Sequence, residues 1–204
     1  MSDGEPTDEG LETPVLLVAM PQVLDPFFHR SVVLLLHHDD QGSFGLIVNR
    51  TTGITLAEIL DGMDIEWQGP RDALAYFGGP VQPQMGTVLT DALPAADGAP
   101  GAEAEETSTQ ILTDVWMTHH IANLTALAGK PPAFFRLVLG YAGWGEEQLM
   151  SEILRNDWLT VPVSRDLLLE TPSDEMWERA VRAAGVDPET LPAWAPTTLP
   201  EETN

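Results

Sequence analysis

The side chains best suited to metal ligation or to proton transfer near neutral pH are five histidines, His29, His37, His38, His119 and His120. Four of them form adjacent pairs. Neighbouring residues of a strand point to opposite faces, so His37 and His38 cannot grip one ion from an extended segment. No His-Glu-x-x-His spacing and no carboxylate facial set accompanies them, and Asp39 and Asp40 read as the solvated acids of a hairpin turn. The pattern implies no metal site and no cofactor.

Ser31 follows His29 and Arg30, which places a hydroxyl, a base and a cation side by side. A serine nucleophile needs a strained turn to present it, and no Gly-x-Ser-x-Gly elbow exists; Ser43 in Gly42-Ser43-Phe44-Gly45 lacks that frame. The segment from Asp25 to Ser31 reads as a structured entry to a strand, with Asp25 forming an Asx-type turn before Pro26 and Arg30 pairing with it. An Arg and a Ser at a sheet edge can also hold a phosphate or carboxylate. Gly78-Gly79-Pro80 suits a sharp reversal. Gly140-Tyr141-Ala142-Gly143-Trp144-Gly145 falls between an expected strand and an expected helix, where backbone amides can cradle an anion. It lacks Gly-x-Gly-x-x-Gly spacing, and Gly129-Lys130 is followed by Pro131 rather than by a phosphate-binding helix. With no catalytic constellation, the residues favour a protein that binds another protein or a small anionic ligand over an enzyme. The alternative is an enzyme or a binder of nucleotide or phosphate ligands, with a pocket near Arg30, Ser31 and the Gly140–Gly145 loop.

These residues must be positioned by a core that the apolar pattern outlines. The unbroken runs 14–20 and 31–37 predict strands covered on both faces, and 44–49 follows a turn-rich connection that suits a hairpin. Thr55 and Glu58 have capping-box spacing, which predicts a helix to about Met63. Short strands are expected at 73–77, 87–90 and 115–117, and longer ones at 134–139 and 158–161. A helix from Ile121 to Gly129 should bury Ile121, Leu124, Leu127 and Ala128. One at 146–155 should bury Leu149, Ile153 and Leu154. A last helix, capped by Ser173, should bury Met176, Trp177, Ala180, Val181 and Ala184 and stop at Gly185. The tryptophans read as core or subunit-contact residues. Strands dominate the first half and mix with helices in the second, which implies an α+β domain.

At 204 residues the chain suits one domain, and 9 basic against 32 acidic residues give a net charge of −23. Such a balance argues against direct binding of nucleic acid. The absence of cysteine removes disulfides, thiolate nucleophiles and Cys-ligated metals. No apolar stretch reaches the ~20 residues of a membrane span, and the acidic start lacks a secretory pattern, so a cytoplasmic protein without membrane contact is expected. Residues 1–12 and 193–204 read as a disordered acidic arm and a loose tail, and 91–109 as a mobile acidic loop within a single domain over 13–192. The arm, the loop and residues 201–204 hold 12 of the acids, which leaves the remainder near −11.

In order, the blocks Ala19-Met20-Pro21, Asp25-Pro26, Phe28, Arg30-Ser31-Val32, Phe44-Gly45-Leu46-Ile47-Val48-Asn49, Gly78-Gly79-Pro80-Val81, Gly140-Tyr141-Ala142-Gly143-Trp144, Glu152-Ile153 and Asn156 with Trp158-Leu159 resemble the AlgH/YqgE family of bacterial proteins. The resemblance spans about residues 11–185. It implies an α+β fold with a small closed β-barrel and a branched mixed sheet surrounded by helices. It also implies a family whose name comes from a proposed role in regulating alginate synthesis, hence a regulatory or accessory protein, and for which no catalytic residues transfer. The positions it carries over as a shared ligand or partner surface are Asp25, Arg30, Ser31, Asn49, Gly79, Pro80, Gly140, Trp144 and Asn156. Gln84, Met85 and Thr90 stand where the family usually places an acid, an Arg and a His. Oligomeric state is left open by the sequence.

Overall fold

The computed structural model describes residues 11–96 and 99–192. The expected acidic arm lies outside them except for Leu11 and Glu12, as does the expected tail. The elements in order are β1 (Val15–Ala19), β2 (Val32–Asp39), β3 (Gly42–Ile47), β4 (Thr51–Thr55), α1 (Leu56–Asp61), β5 (Leu74–Phe77) and β6 (Val81–Thr90). Then come the two-residue strands β7 (Ala95–Ala96) and β8 (Ala99–Pro100), α2 (Ala102–Glu106), β9 (Ser108–Leu112), β10 (Val115–Thr118) and α3 (Ile121–Gly129). The rest is β11 (Phe135–Trp144), α4 (Gln148–Leu154), β12 (Trp158–Pro162), a π-helical turn (Asp166–Glu170), α5 (Ser173–Ala183) and a 3-10 turn (Pro188–Thr190).

All five residues of β1 are buried, as a continuous apolar run requires when both faces of a sheet are covered. One face packs under α5 through Met176, Trp177, Ala180 and Val181, and the other under α4 through Leu149, with Trp144 of β11 and Trp158 of β12 in the same cluster. A third apolar cluster seats α1 and α3 through Leu56, Leu60, Leu124 and Leu127. Among the described residues no helix is long and apolar enough to cross a membrane.

Ten strands share one sheet, in the order β12-β1-β2-β3-β11-β6-β10-β9, with β5 and then β4 branching from β11. The branch and the mixed pairing match expectation: β5 runs parallel to β11, while the other pairs are antiparallel. The closed barrel does not form. Because the sheet forks at β11, its two ends, β12 and β9, belong to different branches and never meet, leaving a curled half-barrel.

The fork is built from glycine. β6 pairs with Phe135–Leu139 and, after a register slip between Leu139 and Tyr141, with Tyr141 again, while β5 pairs with Val138–Leu139 and β3 with Ala142–Trp144. Gly140 sits in that slip at φ +71°, and β5 is wedged in alongside. The Gly78 amide donates to the Leu139 carbonyl at 2.8 Å, and its own carbonyl accepts from Ile47 at 2.9 Å, so one residue ties β11 to β3. Sequence reading made 140–145 a loop before a helix; the structure continues the strand through it to Trp144. The glycine run therefore forms no helix-terminal anion cradle, because its amides lie within and beside the sheet.

Local signals held where side chains satisfied nearby backbone. The Thr55–Glu58 capping box is complete, with Glu58 N donating to Thr55 Oγ1 at 3.2 Å and Thr55 N to Glu58 Oε2 at 3.0 Å. The expected Ser173 cap is absent: Pro172 occupies the cap position and the Ser173 hydroxyl pairs with the Tyr76 hydroxyl at 3.0 Å. Leu154 and Ile121, expected inside, are 80 % and 52 % exposed. The segment expected as one loop over 91–109 carries α2, with Ala104 buried, and the start of β9.

A methyl group on Gly79 would lie 2.2 Å from the Tyr141 carbonyl, at φ +149°, whereas one on Gly53, at φ +79°, would meet nothing within 4 Å. We expect Gly79→Ala to cost about 3 kcal/mol or more and Gly53→Ala about 1 kcal/mol, read as shifts in the urea midpoint.

Candidate functional site

The loop between β1 and β2 is shaped by its own polar groups. Asp25 Oδ1 accepts from Phe27 N at 2.8 Å, and the Asp25 carbonyl accepts from Phe28 and His29, which is the Asx-type turn the sequence predicts. Arg50 lies beneath this loop and donates to the carbonyls of Pro26, Phe27 and His29 at 2.6, 3.2 and 2.5 Å. Burial lowers the Arg50 pKa, and the Asp25 carboxylate partly offsets that effect.

Arg30 does not pair with Asp25. At φ +52° it turns away, lies 4.5 Å above the Trp177 ring and meets Glu178 of α5 at 3.1 Å. Asn49 clasps the entry to β2, accepting from Val32 N at 2.8 Å and donating to the Arg30 carbonyl at 3.0 Å. Ser31, between them, is fully buried, and its hydroxyl has no hydrogen-bond partner among the described residues. Its side chain is closed off from solvent, and neither cleft described below is lined by Arg30 or Ser31. Arg30 thus fastens the start of β2 to α5 and Asn49 clasps that start, while Gly79, Pro80 and Gly140 lie at the fork.

Two of the nine expected residues, Asp25 and Trp144, do meet, around a cleft of about 310 Å³ between the β1–β2 loop and α4. Asn156 lies outside the lining, and its carbonyl accepts from the side chain of Gln22, which is part of it; Asn156 adopts φ +60°, a conformation asparagine tolerates better than most residues. At the centre is Glu152. Its Oε2 accepts from the indole N–H of Trp144 at 2.9 Å and of Trp158 at 2.8 Å, and its Oε1 accepts from Gln148 at 2.9 Å. The two indoles meet edge to face at 5.8 Å, and Phe28 packs against both at 6.1 and 5.8 Å. Arg155 forms a double hydrogen bond to Asp157, at 3.1 and 2.8 Å. The available signal was Gln148 and Glu152 one turn apart on a helix that follows Trp144, but an acid in a helix reads first as a solvated side chain.

A more open cleft of about 390 Å³ lies beyond Gly143, lined by His37, Asp39, Tyr141 and Trp144. His37 pairs with Asp39 at 2.8 Å and His38 with the Ser43 hydroxyl at 2.8 Å. The Gln41 amide, and then His37, hold the Asp39 pKa below its usual value. Among the described residues no group of three or more metal-type side chains gathers. Gln84, Met85 and Thr90 line neither cleft; Thr90 is buried and closes a turn with Ala92.

Glu152→Ala leaves two largely buried indole donors without their acceptor, so it should cost about 2–4 kcal/mol in the urea midpoint, and Glu152→Gln, which keeps one acceptor oxygen, clearly less. A separate expectation concerns pH. Burial, then Arg50 and Arg30, lower the His29 pKa from its usual 6.5. The unfolded chain then takes up the proton first, so this stability is present above pH 6.5 and is lost as pH falls below it. Thermal midpoints should decline from pH 7 to 5.5, and His29→Gln should flatten the decline; an unchanged slope in that variant would refute the assignment. Glu58, its pKa lowered chiefly by the Thr55 hydroxyl, acts only below its usual 4.5.

The sequence matches the model of the AlgH-like family over residues 16–189. It is 38 % identical over 179 residues to a UPF0301 protein of Myxococcus xanthus, covering 87 % of this chain and 93 % of the relative. It is also 38 % identical to one of Chromobacterium violaceum, covering 86 % and 91 %. The solution structure of the AlgH protein from Pseudomonas aeruginosa superposes with a TM-score of 0.67 at 32 % identity, covering 92 % of this chain and 94 % of that one. A crystal structure from Corynebacterium diphtheriae shares the fold at a TM-score of 0.64 and 23 % identity, covering 89 % of each. With its sequence, its forked sheet and its extent all in agreement, the chain belongs to the AlgH-like family.

Proposed function

We propose that this chain is a regulatory or accessory protein that acts by binding, and that its ligand occupies the Glu152 cleft. The observation carrying this is the fixed carboxylate of Glu152, held by three N–H donors in a half-enclosed cleft with aromatic packing behind it. Binding sites favour concave, largely preformed surfaces with a few oriented polar groups, and its volume is at the small end of that class. The pocket once expected around Arg30 and Ser31 has no comparable support, because Ser31 is sealed and Arg30 is engaged by α5. The direct nucleic-acid role remains opposed by the charge of −23.

A thermal-shift screen of small metabolites on the full chain tests this. A ligand at a hundredfold excess over its Kd stabilises by about 2.7 kcal/mol, or roughly 5–10 °C for a domain of this size. The shift should vanish in Gln148→Ala or Asp25→Asn and persist in Arg30→Ala. A flat response to the screen, or loss in Arg30→Ala alone, would exclude the cleft.

A further inference from the structure

We propose that the chain forms a two-fold dimer by pairing its β12 edge with the β12 edge of a second copy. The forked sheet has three ends, β12, β9 and β4. β4 pairs with β5 only at Thr51 and Thr55, with Gly53 at φ +79° in the break between them, so it offers no continuous edge. β9 is flanked by exposed acids at both ends, Glu103, Glu105 and Glu106 of α2 and Asp114 of the turn that follows it. Those charges repel a copy of themselves, a common guard on an open strand.

β12 is unguarded. The Met20 amide donates to the Asp157 carbonyl at 2.9 Å, and hydrogen-bonded pairs alternate along an antiparallel ladder, so Leu159 and Val161 turn their main-chain groups to β1. Trp158, Thr160 and Pro162 turn theirs outward. Thr160 is exposed, and its N–H and carbonyl have no hydrogen-bond partner among the described residues. Antiparallel pairing centred on Thr160 is self-complementary: Thr160 exchanges both bonds with its own copy, and each Trp158 N–H meets a Pro162 carbonyl, which suits a residue with no N–H to give. The axis stands perpendicular to the sheet, so like faces stay on one side and the C-terminal ends of the two α4 helices come together at the seam. There Leu154, four residues before Trp158 and 80 % exposed, gains an apolar neighbour. The arginines flanking β12 are matched, Arg155 by Asp157 and Arg165 by Glu170, so the seam joins main chain and apolar surface rather than ions.

Sedimentation velocity of the full chain over a wide concentration range tests this, with a monomer–dimer equilibrium as the expected result. Each copy carries a charge of −23, so added salt should strengthen the dimer. Weakening by salt, or a monomer at every concentration, would overturn the proposal. Thr160→Pro removes the outward N–H without touching the ladder to β1, and should weaken association at least about tenfold with little change in the urea midpoint. Leu154→Lys should also weaken it, and is decisive if the proline variant does not fold. A dimer of unchanged strength in Leu154→Lys, or in a folded Thr160→Pro, would refute the edge assignment. The chain has no cysteine, so Thr160→Cys supplies a single thiol that the axis sets opposite itself, with α-carbons about 5.5 Å apart, inside the disulfide range. Oxidation should link this variant and leave Gln110→Cys, on the β9 edge, unlinked; the reverse pattern would reject β12 as the contact. Slow hydrogen exchange of the Thr160 amide in a monomeric sample would place another segment of the chain on the edge, and that too would end the dimer proposal.

Discussion

Two main chains pass one another at Gly78–Gly79 and Gly140–Tyr141 with no room for a β-carbon on the inner positions, and the molecule is organised around that approach. A sheet normally gives each strand two neighbours. Here β11 has three: β6 follows it across the slip at Gly140, while β5 pairs before the slip and β3 after it. The fork separates the layer under α4 from the layer under α1 and α3, and it ends β11 with Gly143 exposed and Trp144 buried beneath α4. Trp144 then supplies one wall of the Glu152 cleft, so the main-chain crossing and the candidate site are parts of one arrangement.

Around the cleft, polar groups are satisfied in a graded way. Asp157 neutralises Arg155, Glu178 neutralises Arg30, and carbonyls occupy Arg50. Arg136, only 7 % exposed, lies over the rings of Tyr76 and Phe134 and donates to the Val48 carbonyl at 3.0 Å, with burial lowering its pKa. The basic side chains near the fork are thus directed to structural tasks, which leaves the surface next to α4 with an excess of negative charge. The overall charge sets a background, but it is the pairing of individual groups that gives the cleft its sign.

Much of the fold could be read from local chemistry. The apolar runs of β1 and β2, the Thr55–Glu58 box, the Asp25 turn and the buried face of α5 each depend on residues near one another in sequence. The glycine run at 140–145 misled because glycine usually marks a break, and only the contact with Gly79, about sixty residues away, makes it strand. Leu154 and Ile121 misled because an amphipathic pattern does not show how wide the covering layer is. Of the site, Asp25 and Trp144 were legible, whereas Glu152 was not: its meaning depends on two tryptophans brought to it by different strands.

The position of β11 in the chain also constrains synthesis. Residues up to 134 contain β3, β5 and β6, but the strand that joins them is made after all three. During elongation their joining edges stay unpaired until residues 135–144 emerge, and β12, which completes the other branch beside β1, follows later still. A ribosome stalled before β11 would hold a chain with several open strand edges, the type of surface that recruits chaperones and seeds association. The same glycines that permit the fork therefore make completion of the fold a late event in the life of each molecule.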